Sequence, residues 1–344
     1  MSEHIAIVGG GLAGLALGIG LRQNAVEATV WEAGRYPRHR VCGEFISGQG
    51  LGSIERLGLL KPIKNAGACW AKNAAFFEGA SSGPARPLPQ AALSISRYVL
   101  DELLAREFVR LGGELRVGIR WRGGFGPAVV RSNGRRVEPF ADGWRLLGLK
   151  VHARNIALES DLEMHFVPSG YVGLSRLPGG EVNLCGLFRS RQTVPGLAKD
   201  WRNWLGGPCD STLHSRLAPA RFDQQSFCSV AGFSLRPQRA ALQDECCVGD
   251  ALTMIPPVTG NGMSMAFESA EQAVGPLVRF SRRELSWTEA RQQIAEDCDR
   301  AFASRLRYAR CLQWALFQPL LRPALLSLAA QSGWLWRELF LRTR

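Results

Sequence analysis

Short apolar runs near the start of the chain flank a glycine turn and an apolar helical stretch. Residues 4–8 (HIAIV) are typical of a buried strand, and residues 27–31 are typical of a second strand that ends at Glu32. Between them, residues 12–22 predict a helix that follows three glycines. A strand, a glycine turn, a helix and a strand form a βαβ unit, which predicts a parallel sheet with a right-handed crossover.

The middle of the chain changes from helical to strand periodicity. Residues 114–190 are typical of strands separated by turns, with a hairpin turn at residues 178–180 (PGG). They predict an antiparallel sheet, inserted as a second domain between two parts of the first. Before them, residues 95–111 predict an amphipathic helix whose apolar face consists of Val99, Leu103, Leu104, Phe108 and Leu111.

The net charge is concentrated at one end of the chain. The 344 residues include 42 Lys and Arg against 30 Asp and Glu, a net charge of +12. Eight arginines from Arg300 to Arg344 accompany a single acid, Glu338. An excess of this kind indicates nucleic acid, a membrane surface or an anionic ligand as partner. Because no nucleic-acid-binding motif accompanies the charge, we predict no nucleic-acid partner.

Cysteine and histidine usage indicates a reduced compartment without a metal site. The nine cysteines are an odd number and contain no CxxC pair, and the five histidines have no metal-ligand spacing. The first residues, MSEHIAIVGGG, contain neither a basic region nor a long apolar run, so they do not resemble a signal peptide. We therefore expect a cytoplasmic protein and no bound metal.

The segment GGGLAG after the first strand fits the pattern GxGxxG. Gly9 permits a tight turn, Gly11 lets a pyrophosphate approach the backbone, and Gly14 lets the helix pack closely on the sheet. Glu32 lies 18 residues beyond Gly14, where its carboxylate would accept hydrogen bonds from a ribose. The pattern predicts a dinucleotide site, and the alternative is a glycine turn that only packs a helix on a sheet. The neighbouring candidates for cofactor contact are Leu12, Ala13 and Ala33.

A second glycine-rich segment favours FAD over NAD. Gly249-Asp250 is followed by Pro257 and then by Gly260-Asn261-Gly262-Met263, which again precede a helix. Such a loop would bring backbone N–H groups to a flavin pyrimidine ring, where negative charge develops on reduction, and Asp250 would accept from the ribityl hydroxyls. The alternative is a Pro/Gly turn that caps an ordinary helix.

Taken together, four segments resemble flavoproteins of the geranylgeranyl reductase and aromatic-hydroxylase group, which is p-hydroxybenzoate hydroxylase-like. The segments are GGGLAG with Glu32, RHRVCGEFIS (38–47), SRYVLDELL (96–104) and GDALTMIPPVTGNGMSMA (249–266). The resemblance implies a non-covalent FAD, with Arg40 and Arg97 holding it and Cys42-Gly43 beside the isoalloxazine. It also implies NAD(P)H as electron donor.

The predicted fold is α/β, with a Rossmann-like FAD-binding domain, an inserted antiparallel-sheet substrate domain and a helical C-terminus. We assign residues 1–65, 90–135 and 240–280 to the FAD-binding domain, residues 66–89 and 136–239 to the substrate domain, and residues 281–344 to the helical region.

Several departures from the family patterns bear on the reaction. Aromatic hydroxylases usually carry Asp-Gly before the middle sheet, where this chain has Asn133-Gly134, and usually read GDAAH where this chain has Leu252 and Thr253. The stretch GYVGLSRLP from Gly170 lacks the WxWxIP signature of halogenase relatives. The VCGE and GNGMSMA segments are closer to the reductase branch. We therefore predict hydride transfer to or from a C=C bond of a hydrophobic isoprenoid, lipid or polyketide-like molecule.

Alternative functions remain open from the sequence. The first is a flavin-dependent monooxygenase that hydroxylates an aromatic or polyketide substrate with NAD(P)H and O2. The others are a non-catalytic FAD-binding or membrane-docking protein and a nicotinamide dehydrogenase.

Few side chains outside the glycine segments are candidates for chemistry. Cys42 is a candidate catalytic acid beside the flavin, and its alternative role is that of a small buried apolar residue. Lys150 and His152 alternate on a strand and so share one face, which points either into the pocket or to solvent. Tyr171 is a candidate pocket wall.

The C-terminal region combines aromatic residues with arginines. Pro319 and Pro323 predict two short helices rather than one membrane-spanning helix. One interpretation is an apolar cap on the substrate domain. The other is a peripheral membrane contact, in which aromatic side chains enter the interface and arginines bind anionic lipid. The aromatic residues concerned are Trp314, Phe317, Trp334 and Trp336.

Overall fold

A computed structural model describes residues 3–135, 137–138, 140, 143–194, 196 and 199–344. Its strands are β1 (Ile5–Val8), β2 (Ala28–Glu32), β3 (Phe45–Ile46), β4 (Cys69–Glu78), β5 (Ser81–Ser82), β6 (Arg86–Ser94), β7 (Glu114–Val117), β8 (Val129–Arg131), β9 (Arg145–Arg154), β10 (Leu162–Val167), β11 (Gly170–Arg176), β12 (Val182–Ser190), β13 (Arg221–Ala231) and β14 (Cys246–Cys247). Its α-helices are α1 (Leu12–Gln23), α2 (Gln49–Arg56), α3 (Leu60–Asn65), α4 (Arg97–Arg110), α5 (Trp201–Gly206), α6 (Thr212–Leu217), α7 (Gly262–Ser281), α8 (Trp287–Leu316), α9 (Arg322–Gln331) and α10 (Gly333–Arg342).

The first sheet is parallel, in the order β14-β8-β1-β2-β7, so the predicted βαβ unit is confirmed. Helix α1 is apolar on all sides because it is buried between this sheet and helices α4 and α7. Gly14 permits this approach, since a β-carbon there would overlap the carbonyl oxygen of Gly9.

The second sheet is large and has the order β13-β9-β12-β11-β10-β4-β6-β3, with β5 beside β4. Its pairs are antiparallel except for β4 and β10, which run parallel. A parallel pair requires a long connection, and more than 80 residues separate these two strands. The predicted hairpin is confirmed: residues 178–180 form the turn between β11 and β12.

The structure confirms the α/β fold, with a parallel sheet, an inserted and mainly antiparallel sheet, and helices at the C-terminus. The division into domains stays a prediction, and two of its predicted boundaries, residues 1 and 136, lie outside the described residues.

One detail of the predicted packing was wrong. The buried face of α4 contains Leu100, Leu104 and Phe108, whereas Val99 is 40% exposed. Phe108 lies against Gly18 of α1. These three buried residues are spaced four apart, so they share the face of α4 that packs against α1.

The C-terminal region is helical, as predicted. Chain direction changes at residues 317–321, between α8 and α9, and Pro323 lies in the first turn of α9, where a proline is tolerated. Among the described residues, no helix is both long and apolar enough to cross a membrane.

Candidate active site

A cavity of about 1150 Å³ lies where the carboxyl ends of the parallel strands meet one face of the large sheet. In sheets of this kind, ligands bind at this end of the strands. Of the predicted site residues, the cavity is lined by Gly9, Gly11, Leu12, Ala13, Glu32, Ala33, Arg40, Cys42, Gly43, Arg97, Tyr171, Gly249, Asp250, Pro257, Gly260, Gly262 and Met263. Gly14, Asn261, Lys150 and His152 are near it without lining it.

The first glycine segment is shaped by three different requirements. Gly9 has φ +116°, a conformation that favours glycine, and a β-carbon there would overlap the backbone of Ser132. Gly14 supports the close packing of α1 described above. At Gly11, a β-carbon would meet no atom within 4 Å. The space in front of Gly11 is therefore open to the cavity, next to the free N–H groups at the start of α1.

Glu32 is held at the end of β2 by three hydrogen bonds and by an ion pair with Arg38. The backbone N–H of Gly10 donates to Oε2 (2.9 Å) and that of Gly34 donates to Oε1 (2.6 Å). The guanidinium of Arg38 donates to Oε1 (2.8 Å), and its Nη2 lies 2.6 Å from Oε2. Burial alone would raise the pKa of Glu32, but Arg38 and the backbone bonds outweigh it, so the pKa is lowered. The role of Arg38 is not visible in the sequence, because its contact with Glu32 depends on the path of an irregular loop.

The second glycine segment touches the first. Gly249 has φ +62°, and a β-carbon there would lie 2.8 Å from the Cβ of Ala13. Gly260 is also left-handed (φ +65°), and Gly262, at the start of α7, has open space in front of it. Asn261 points away from the cavity: its side-chain amide donates to the carbonyl oxygen of Thr343 (2.8 Å).

Positive and negative groups line the cavity between these segments. The buried guanidinium of Arg97 pairs with Asp101, with Nε 2.6 Å from Oδ1. Arg40 has no carboxylate partner among the described residues, and burial lowers its pKa. Burial raises the pKa of Asp250, against the charges of Arg135 and Arg97. A cation without a carboxylate partner and a carboxylate on the walls of one cavity suit a ligand that carries both an anion and hydroxyl groups.

Cys42 lies on the cavity wall next to Arg97 and Glu44. Burial raises the pKa of its thiol, and the opposing charge of Arg97 does not cancel this effect. The side chain is therefore a neutral thiol at neutral pH, with its sulfur accepting from the backbone N–H of Glu44 (3.4 Å). Its predicted role as a catalytic acid stays a prediction.

Lys150 and His152 lie on β9 behind the cavity wall, and both are buried. His152 Nε2 lies 2.6 Å from Glu44 Oε2, and Lys150 Nζ lies 3.5 Å from Glu44 Oε1. The shared face predicted for them exists, and it is covered by the loop that carries Glu44. Their predicted contact with substrate stays a prediction.

The far half of the cavity is apolar. Tyr171 lines it, and its hydroxyl is buried without a hydrogen-bond partner among the described residues. Helix α10 contributes Trp336 and Phe340, which lie one turn apart on one face of that helix. The other apolar side chains of this wall are Phe76, Leu88, Met164, Leu187, Val230, Phe233, Met254 and Val258.

No protein-family model matches the chain, and no curated protein sequence matches it. Solved structures do match it. The p-nitrophenol 4-monooxygenase PnpA from Pseudomonas putida DLL-E4 is 15% identical, with a TM-score of 0.77, and the match covers 99% of this chain and 96% of that chain. The flavin-dependent brominase Bmp2 is 18% identical, with a TM-score of 0.70 and coverage of 98% and 97%.

PqsL from P. aeruginosa, solved in complex with 2-aminobenzoylacetate, is 15% identical, with a TM-score of 0.71. The match covers 94% of this chain and 99% of that chain. A second structure of that protein describes it as a probable FAD-dependent monooxygenase. At these identities the similarity concerns the fold. The chain thus has the fold that these monooxygenases share with a flavin-dependent brominase.

Proposed function

We propose that the cavity binds FAD, with its pyrophosphate at the start of α1 and its flavin ring towards Gly260 and Gly262. Three observations support this assignment. Gly11 and Gly262 each leave open space where any side chain would intrude. Arg40 is a cation on the cavity wall without a carboxylate partner among the described residues. Asp250 is a buried acid on the same wall, as a ribityl chain requires.

We further propose that the protein is a flavin-dependent monooxygenase, which hydroxylates an aromatic or polyketide-like molecule with NAD(P)H and O2. The observation that carries this proposal is the fold shared with monooxygenases and a brominase. It favours hydroxylation over the C=C reduction predicted first, which the sequence segments alone support. When bound, FAD supplies the redox chemistry.

The residues of the chain then have three tasks. Backbone N–H groups of the glycine segments and Arg40 offset the negative charge of the cofactor. The apolar wall formed by Phe76, Trp336 and Phe340 excludes water from the reacting atoms. The unpartnered hydroxyl of Tyr171 donates a hydrogen bond to a polar group of an otherwise hydrophobic substrate.

The experiment that tests this function starts with the absorption spectrum of the purified protein, which we expect to show bound flavin. NADPH and NADH are then added with candidate substrates under ¹⁸O₂. Mass spectrometry of a product that contains one ¹⁸O atom supports hydroxylation. A product with two additional hydrogens and no ¹⁸O supports the reductase instead. A protein that takes up no flavin contradicts both.

We also propose that the C-terminal helices dock on an anionic lipid bilayer. Large apolar side chains are exposed there: Trp334 is 72% exposed, Trp314 62% and Leu320 93%. The arginines Arg307, Arg310 and Arg337 are exposed in the same segment, and its acid, Glu338, is paired with Arg342. Aromatic residues among unpaired arginines are suited to an anionic lipid surface. Helix α10 also forms part of the cavity wall, so a lipid-like substrate would enter beside it.

Vesicle sedimentation tests this docking. We expect binding to vesicles that contain phosphatidylglycerol, weaker binding to phosphatidylcholine alone, and weaker binding still for Trp334→Ser. Trp70→Ser is the matched control, because Trp70 is an exposed tryptophan on β4, outside this segment. A protein that stays in the supernatant with anionic vesicles at low salt contradicts the proposal.

A further inference from the structure

A row of ionisable side chains leads from the protein surface to the cavity. The carboxylate of Glu181, which is 24% exposed, lies 3.1 Å from His152 Nδ1. The other ring nitrogen of His152 lies 2.6 Å from Glu44 Oε2, and Glu44 Oε1 lies 3.5 Å from Lys150 Nζ. Lys150 Nζ lies 2.9 Å from Nδ1 of His39, which is on the cavity wall.

The interior members of this row are unusual for groups that only stabilise a fold. Glu44 and Lys150 have no exposed side-chain surface, and Glu44 has a left-handed backbone (φ +61°) although it is not glycine. Buried ion pairs contribute little net stability because desolvation offsets their attraction. A strained backbone and buried charges at a cavity wall together indicate a functional arrangement.

Hydrogen bonding defines how His39 is protonated. The ammonium of Lys150 has only donors, so Nδ1 of His39 accepts its hydrogen bond and the proton of the neutral ring is on Nε2. Burial and the charges of Lys150 and His152 lower the pKa of His39 to about 4, which agrees with a neutral ring. Nε2 has no partner among the described residues and is free to donate into the cavity.

We propose that Glu181, His152, Glu44, Lys150 and His39 conduct protons between bulk water and the cavity. This inference rests on the proposed function, because hydroxylation of a substrate with NAD(P)H and O2 consumes one proton, and two-electron photoreduction of a flavin also takes up at least one. For each proton that enters at Glu181, one leaves Nε2 of His39, and the charge of the row is unchanged. Lys150 gives a proton to His39 as it receives one from Glu44. His152 and His39 each accept a proton on Nδ1 and release one from Nε2, so each ring then holds its proton on Nδ1. Rotation of the ring or exchange with water restores the starting state before the next transfer. The longest distance in the row is the 3.5 Å between Glu44 Oε1 and Lys150 Nζ. A movement of about 0.5 Å brings these two atoms to the usual hydrogen-bond distance.

Other charged and titratable groups surround the row. The carboxylate of Asp223 acts on His39, and Arg154 acts on Glu181. The thiols of Cys185 and Cys228 lie near Lys150, and burial raises the pKa of both. These thiols stay protonated at neutral pH. The thiols therefore take no part in the proton transfers proposed for the row.

The test measures proton movement instead of turnover. Flash photoreduction of the FAD-loaded protein with a pH-indicator dye reports the rate at which protons are taken up. We expect His152→Gln and Glu181→Gln to slow this uptake, His152→Gln by roughly 100-fold. The absorption of bound FAD shows that each variant is folded and loaded. Glu181 is at the surface, so its substitution keeps the fold.

His165→Gln is the matched control. His165 is also buried, and its Nε2 lies 2.9 Å from Glu163 Oε2, but this pair has no contact with Lys150 or His39. We expect uptake in this variant to match that of the unmodified protein. Equal rates for His152→Gln and the unmodified protein would overturn the relay, and so would an equal slowing by His165→Gln.

A second measurement needs no FAD. Nitrogen NMR of ¹⁵N-histidine-labelled protein should show His39 at neutral pH as the tautomer with its proton on Nε2, and Lys150→Met should change this signal. A charged ring, or a proton on Nδ1, would overturn the relay. Because this readout is independent of the cofactor, a failure to bind FAD would contradict the proposed function separately.

Discussion

Gly249 and Ala13 are in contact across the cavity floor, with 2.8 Å between a β-carbon built on Gly249 and the Cβ of Ala13. Two segments that are more than 230 residues apart in the sequence therefore meet at a point where a side chain on Gly249 would overlap Ala13. The distance between the two halves of the proposed cofactor site depends on this contact.

Gly249→Ala should destabilise the fold by about 1–3 kcal/mol, because the left-handed backbone and the contact with Ala13 both oppose a methyl group. The matched control is Gly179→Ala, where φ is +70° and a β-carbon meets no atom within 4 Å. Gly179→Ala therefore measures the cost of a left-handed backbone without a steric contact. Urea unfolding should show the larger loss at Gly249, and equal losses would contradict the contact.

Substitutions at Gly11 and Gly14 should have separate effects, the first on FAD affinity and the second on the free energy of unfolding. Gly11→Val should lower the free energy of unfolding by at most about 1 kcal/mol, because its β-carbon meets no atom and only the N-cap of α1 is weakened. It should reduce FAD affinity at least tenfold by filling the phosphate position. Gly14→Ala should reduce stability, because its methyl group overlaps the carbonyl oxygen of Gly9. Flavin titration and urea unfolding on both variants test this contrast. Unchanged FAD uptake by Gly11→Val would contradict the proposed site.

Removing one partner of the pair Arg97–Asp101 should cost far more stability than removing one partner of an exposed pair on the same helix. Arg97→Met leaves Asp101 buried and unpaired, at a cost of about 3–5 kcal/mol. Arg106→Met breaks the exposed pair with Glu102 and should cost at most about 1 kcal/mol. Chemical denaturation measures both values, and a small effect at Arg97 would show that Asp101 finds another partner.

The contribution of His152 to stability should depend on pH in a defined direction. Burial lowers its pKa, but the bonds to Glu181 and Glu44 outweigh burial and the pKa is raised above 6.5. The folded protein therefore holds this proton more tightly than the unfolded chain does. The resulting stability is fully present below the unfolded pKa and is lost as the pH rises through the folded pKa.

We therefore expect the difference in unfolding free energy between the unmodified protein and His152→Gln to be larger at about pH 5.5 than at about pH 9. Measuring the difference cancels the titration of groups that do not interact with His152. A difference that grows with pH would contradict the assigned bonds.

Local patterns in the sequence predicted the local structure well. The βαβ unit and the hairpin at residues 178–180 depend on neighbouring residues, and both are confirmed. The C-terminal region was predicted as two short helices, whereas the end of the long helix α8 precedes the short helices α9 and α10. The buried face of α4 was predicted less well. Apolar residues occupy more than one face of this helix, so the sequence alone does not show which face is buried. The position of α1 determines that Leu100 is buried and Val99 is exposed.

Long-range contacts explain what the sequence analysis missed at the site. The parallel pairing of β4 with β10 joins strands far apart in the chain. Glu44 follows a segment rich in basic residues, yet it is buried, because Lys150 and His152 of β9 cover it. No periodicity within residues 38–47 indicates that cover. The glycines, in contrast, were identifiable because their spacing follows from backbone geometry alone.

The contacts around Glu32 have a further consequence. A carboxylate offers about four lone-pair positions, so a ribose hydroxyl gains a place on Glu32 only when Arg38 gives one up. In the proposed FAD site, the guanidinium would then compete with the ribose for the carboxylate. The free energy of displacing Arg38 would weaken the apparent affinity for FAD. Removing Arg38 would tighten FAD binding, and it would leave Glu32 as a buried and poorly compensated charge.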